Sequence, residues 1–166
     1  MNNGELKEPF MDILRILTNP VLLVPAFAWM VAQILKAVIN AIVNKRFSWS
    51  RLIGDGGMPS GHSATVTSLA VMCGLTAGFD SVSFAIAFIL AIIVMHDATG
   101  VRLETGKQAA FIISIAEVIN DYISEHDAQI KTDKLKVLVG HTPLQVLCGA
   151  LLGGTIAVAY YFLAIG

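Results

Sequence analysis

The chain has 166 residues, of which 55% are hydrophobic and only 14% charged, and its mean hydropathy is +0.72. A soluble domain of this length carries about a quarter of its residues as charges, so the composition excludes an ordinary water-soluble globule. The formal net charge of −1 gives no basic footprint, which argues against a nucleic-acid partner.

In chain order, residues 1–20 read as an N-terminal interfacial segment and residues 21–166 as one membrane-embedded domain. The first nineteen residues mix Glu5, Lys7, Glu8, Asp12 and Arg15 and lack the basic start and apolar run of a secretory signal. Residues 10–17 are a short amphipathic stretch that ends at Asn19-Pro20. Residues 21–43 form the first apolar run, long enough to span a bilayer as a helix. Gln33, Lys36 and Asn40 follow at i, i+3 and i+7, which places them on one face of that helix. A polar, Gly-rich connection (44–62) leads to a second apolar run (63–79). Asp80-Ser81 turns the chain, and a third run (82–95) completes a transmembrane hairpin.

The longest polar region is 97–141. Within it, 108–123 has helical periodicity but carries Glu117, Asn120 and Asp121, so it reads as a helix lying on or dipping into the membrane. Residues 124–136 are highly charged, with Lys131, Lys134 and Lys136 reading as a solvated face against anionic lipid. The last run is 144–165. The expectation is an all-α integral membrane bundle with about four transmembrane helices and one or two interfacial ones. Cys73 and Cys148 lie inside apolar runs and read as packing residues. Gly74 with Gly78, and Gly149 with Gly153, are small-residue pairs that bring helices close, within one chain or in a homo-oligomer.

Four spans put the connections 44–62 and 97–141 on one side. That side holds Lys45, Arg46, Arg51, Arg102, Lys107, Lys131, Lys134 and Lys136, against Lys7 and Arg15 on the other. Basic residues in short loops favour the cytoplasm, so the expected placement is a multi-pass cell-membrane protein with these loops cytoplasmic. The unusual polar residues fall at the same face: Lys36, then Pro59-Ser60-Gly61-His62, His96-Asp97 with Arg102, and Gly140-His141-Thr142-Pro143. Ser60 or Ser63 suits an N-cap. Thr142, Pro143 and Gln145 fit a capping box with proline at the first helical position. Helix N-termini offer free N–H groups to a phosphate, and lysine and arginine add charge. Two histidines can divide phosphoryl chemistry, one attacking phosphorus and one protonating the leaving oxygen. Each residue also has a plainer reading. Lys36 can snorkel, Ser60, Thr142 and Gln145 can be caps only, and Asp97 with Arg102 can be a structural ion pair.

These motifs carry a resemblance. "GGMPSGHSA" resembles the central motif of the type-2 phosphatidic acid phosphatase superfamily, which includes bacterial acid phosphatases and vanadium haloperoxidases. The ordered set "AQILK", "GGMPSGHSA", "MHDATGVRLETGKQA" and "GHTPLQVLCGALLG" is similar to the divergent branch of that superfamily. The resemblance implies a hydrolase of a lipid phosphomonoester, working without metal or cofactor through a phospho-histidine. The substrate would be a membrane lipid phosphate such as a phosphatidate, a phosphatidylglycerol phosphate or a polyprenyl phosphate. It implies His62 as general acid, Ser60 and Gly61 as phosphate contacts, and His141 as nucleophile. Lys36 and Arg102 would bind phosphate, with Gln33, Thr142 and Gln145 in support. The superfamily orients its nucleophile with an acidic residue four positions on. Here position 145 is Gln, and Asp97 is the candidate for the missing charge. The superfamily's Arg-Pro and Ser-Arg pairs are absent. Two other readings remain at this stage: a non-catalytic lipid-phosphate-binding or scaffold protein, and a metal-dependent enzyme built on His96, Asp97, Glu104 and His141.

Overall fold

The computed structural model describes residues 14–45, 56–122, 130–132, 135, 137, 139–164 and 166. Residues 1–13 of the N-terminal segment, Arg46 and Arg51 of the first connection, most of 124–136 and Ile165 lie outside them. Among the described residues the long elements are five helices and there is no strand: α1 (Pro20–Asn44), α2 (Gly61–Ala77), α3 (Val82–Thr99), α4 (Val101–Tyr122) and α5 (Pro143–Ala164).

The helix starts follow from local chemistry. The Asn19 side chain accepts from the Val21 N–H at 2.9 Å, and Pro20 at the first position gives up an N–H that the first turn does not use. Ser60 caps α2 and Ser81 caps α3, each accepting from the N–H three residues on. Thr142 and Gln145 cap α5 reciprocally: the Gln145 N–H donates to Thr142 Oγ1 at 3.4 Å, and the Thr142 N–H donates to Gln145 Oε1 at 3.1 Å.

α2 is the centre of the bundle, packed against α1, α3 and α5. Nine of its 17 residues are buried, against three of the 18 in α3. The interfaces are built from small side chains, including Ala28, Ala32, Ala64 and Ala157, because in lipid the helices are held by close packing more than by water exclusion. A Cβ on Gly149 or Gly153 would strike the carbonyls of Ser60 and Ala64. This pair therefore serves a contact within the chain. The other pair does not join helices at all. Gly78 lies beyond the end of α2 with φ +96°, and Gly74 makes room for the Phe79 ring folded back on it.

Three helical stretches are long and apolar enough to cross a membrane: Pro20–Asn44, Val82–Tyr122 and Pro143–Ala164. α3 supplies the apolar part of the second. α2 has 17 residues, about 26 Å at 1.5 Å per residue, and the other three enclose it. Large apolar side chains, Leu22, Phe27, Ile86, Ile93 and Leu151 among them, cover the outside. The protein is an integral membrane helical bundle.

The polar region after α3 differs from its sequence reading. The helix expected over 108–123 begins at Val101 and follows α3 after a single-residue break at Gly100. Charges and glycines disguised its first two turns as loop. In the structure Lys107 bonds Glu104 at 2.7 Å, an i, i+3 pair that a helix brings together. The chain then returns beside α4. The Asn120 side chain exchanges hydrogen bonds with the backbone of Ile130, and Gly106 lies against the Val137 carbonyl. The chain joining Ile130 to Val137 carries Lys131, Asp133, Lys134 and Lys136. Phe111, Ile112, Ile115, Val118 and Ile119 are exposed along one side of α4, so the helix is amphipathic. α5 starts at the bundle end where α3 stops.

Candidate active site

Three ties converge the motifs at that end. The His141 N–H donates to the Ala98 carbonyl at 3.0 Å, joining the start of α5 to the last turn of α3. The Ser60 N–H donates to the Gln145 carbonyl at 3.0 Å, joining the starts of α2 and α5. Gly57, at φ +94°, crosses the aliphatic stem of Lys36, where a Cβ would come within 3.0 Å of Lys36 Cδ. Gly56 also has a positive φ, +81°, so two left-handed residues turn the chain onto α1. The Met58-Pro59 bond is cis.

The polar residues gathered there are unusually deep. Lys36 is 4% exposed, Gln33 9% and His141 2%, and Ser60 and Ser63 are fully buried. The shared face of Gln33, Lys36 and Asn40 thus turns inward rather than to the interface. Gln33 Oε1 is buried without a hydrogen-bond partner. Ser60 Oγ receives the Ser63 N–H at 3.3 Å and the Ser63 hydroxyl at 3.0 Å, so its side chain works as a cap. What the Ser60 motif turns toward the site is the opening of α2, whose first N–H groups lie beyond the helix's own bonding.

His62 and His141 are neighbours, with ring centroids 5.9 Å apart and planes at 62°. Gln145 fixes the tautomer of His141. Its Oε1 receives the Thr142 N–H and lies 3.3 Å from His141 Nδ1. An atom that already accepts from a backbone N–H is the carbonyl oxygen of the amide, so Nδ1 facing it carries the proton. Gln145 Oε1 is thus placed to orient the His141 ring at Nδ1.

Asp97 and Arg102 pair with each other, Arg102 Nε donating to Asp97 Oδ2 at 2.6 Å, with both side chains over 40% exposed. The pair sits at the α3–α4 break, one residue from the Ala98 carbonyl that holds His141. His96 is exposed on α3. Among the described residues no three His, Cys, Asp or Glu side chains form a metal-holding group, so His96, Asp97, Glu104 and His141 are not assembled as ligands.

Two residues here escape a reading by motif. Trp29 lies against Gly61, where a Cβ would come within 3.2 Å of its ring; its i, i+4 spacing from Gln33 was the available signal. Lys107 lines a cleft beside Gly57, Thr142 and Gln145. Its sign was the helical repeat with Leu103, hidden while that stretch read as loop.

Residues 17–156 match the family described as "Divergent PAP2 family". The chain is also 40% identical, over 158 residues, to the "Uncharacterized membrane protein YuiD" of Bacillus subtilis (strain 168), covering 90% of this chain and 100% of that one. No solved structure matches it.

Proposed function

Because the chain belongs to the Divergent PAP2 family, we propose that it is a membrane phosphatase that hydrolyses a lipid phosphomonoester through a phospho-histidine. The observation that carries this reading is the buried His141, with Nδ1 held by Gln145 and His62 beside it. The phosphoryl group sits at the opening of α2, against the N–H groups of Gly61 and His62. Lys36 neutralises its charge, and the terminal nitrogens of Arg102 reach it from the rim. Nε2 of His141 attacks phosphorus as the bond to the lipid oxygen breaks, and His62 gives that oxygen its proton, releasing a lipid alcohol. Water then attacks the phospho-histidine, His62 takes its proton, and inorganic phosphate leaves with His141 restored. Asp97 supports the reaction by fixing Arg102. No step calls for a metal. The excess of Lys and Arg on the site's side supports a cytoplasmic face for this chemistry.

The test is phosphate release from a panel of lipid phosphates by the purified protein and by His141→Ala. Turnover is expected to persist in EDTA, to be blocked by vanadate and to fall to background in the variant. Equal turnover by His141→Ala would remove the nucleophile. The uncharged Gln145 favours one second reading, a protein that binds lipid phosphate without cleaving it. That reading predicts binding by wild type with no phosphate released from any lipid of the panel.

A further inference from the structure

The polar face of α1 continues past Lys36. Asn40 and Asn44 follow it at successive helical turns, so Gln33, Lys36, Asn40 and Asn44 make one row along the helix. Burial falls along that row: Gln33 and Lys36 are buried, Asn40 is half-buried and Asn44 is exposed. The step from Lys36 to Asn44 is eight residues, about 12 Å at 1.5 Å per residue. A cavity of about 160 Å³ runs over this stretch, with Lys36, Asn40, Asn44, Gly57 and Met58 on its lining. It has room for several waters.

The row is made of donors. The Asn44 amide donates to Asn40 Oδ1 at 2.7 Å, which leaves the Asn40 amide nitrogen to a ligand. With both amides turned over, Asn44 keeps its nitrogen instead, so the pair presents a donor either way. No carboxylate lies on the described lining of the cavity. Lys45, at φ 50°, caps α1, and its charge offsets the carbonyl end of the helix. Asparagine is a poor helix former, so two of them one turn apart in a membrane helix call for a reason.

The two products of the proposed reaction leave into different solvents. The lipid alcohol belongs to the bilayer. Inorganic phosphate is an anion, and it needs polar partners until it reaches water. We propose that the row of Asn40 and Asn44 is the way out for this phosphate, from its buried position at Lys36 to the exposed end of α1. The proposal rests on the phosphatase reading of the site. Asn40 meets the phosphate in transit and takes no part in making or breaking a bond to phosphorus.

Exchange of inorganic phosphate tests the path apart from turnover. The purified chain in micelles is added to inorganic phosphate, and broadening of the phosphorus resonance gives the affinity and the exchange rate. Asn40→Leu, of similar size but without a donor, is expected to slow exchange in both directions about tenfold, the worth of one hydrogen bond, with affinity kept within about twofold. Asn40→Ser, which keeps a donor, is expected to exchange at the wild-type rate. In turnover, Asn40→Leu is expected to form the phospho-histidine as fast as wild type and to release phosphate slowly. Unchanged exchange in Asn40→Leu, loss of affinity with an unchanged association rate, or no broadening by the wild-type protein overturns the path. Failure of the phosphatase reading is seen separately, as absence of phosphate release from any lipid by a wild-type protein whose phosphate exchange still depends on Asn40.

Discussion

The two ends of the bundle are built from the same parts and put to different use. At the far end, α2 stops at Gly78 and α3 starts at Ser81, with Phe79 tucked over Gly74. The largest cavity described there is an apolar groove of about 480 Å³ between α1 and α5, lined by Leu23, Phe27, Ile156 and Tyr160 among others. At the near end the two cavities lined by described residues are smaller, yet Gln33, Lys36, Ser60, Ser63 and His141 are all buried. An ionisable group withdrawn into a membrane bundle costs several kcal/mol unless something compensates. Among the described residues, depth of polar groups, and not size of cavity, sets the near end apart.

The contact between α5 and α2 joins the two ends, so breaking it has the largest effect. Gly153 sits on the Ala64 carbonyl, whereas a Cβ on its neighbour Gly154 would meet only a Thr67 methyl at 3.8 Å. Gly153→Ala is expected to cost about 3 kcal/mol through backbone displacement and to lower the thermal midpoint in micelles. Gly154→Ala is expected to change it little. Similar midpoints for the two variants would mean that α5 does not bear on α2 as described.

Next in size is the hold of Gln145 on His141. Gln145→Leu removes the acceptor at Nδ1 and frees the ring to turn. Turnover is expected to fall about a hundredfold with little change in KM, as when the partner of a catalytic histidine is lost. Gln145→Glu keeps the capping box and the acceptor, adds the charge that the superfamily carries at this position, and is expected to restore turnover to wild type or above. Turnover unchanged in Gln145→Leu, with only stability lost, would assign the residue to the helix cap alone.

The sequence made the bundle readable because apolar runs and caps are local signals. Ser60, and Thr142 with Gln145, read as caps and open helices, whereas Asn19-Pro20 and Ser81 read only as breaks and also prove to be helix starts. Convergence of the polar motifs at one end followed from counting spans. Two kinds of feature were not legible. The first turns of α4 hold Arg102, Glu104 and Lys107 between glycines, and the close packing that explains Gly106 involves Val137, thirty-one residues away. Asp97 was a candidate partner for His141, but Arg102 engages its carboxylate; the choice between two neighbours of opposite charge depends on side-chain direction, which spacing does not specify. Ser60 reads equally well as phosphate contact or cap until its hydroxyl is seen turned into the helix.

The smallest effect separates the two serine caps. Ser81 Oγ receives the Phe84 N–H at 3.2 Å and donates to the Gly78 carbonyl at 2.7 Å, with no substrate group near it. Ser81→Ala is expected to cost about 1 kcal/mol, the usual value of an N-cap, and to leave KM and turnover alone. Ser60→Ala removes an equivalent cap, so a similar loss of stability is expected. It also loosens the first turn of α2, whose N–H groups face the phosphoryl position in the proposed mechanism, so KM should rise a few-fold. The Ser60 side chain is fully buried and engaged by Ser63, which makes that rise an effect of the backbone it steadies. Unchanged KM in Ser60→Ala, at the stability lost by Ser81→Ala, would make the two ends equivalent and move the phosphate away from the opening of α2.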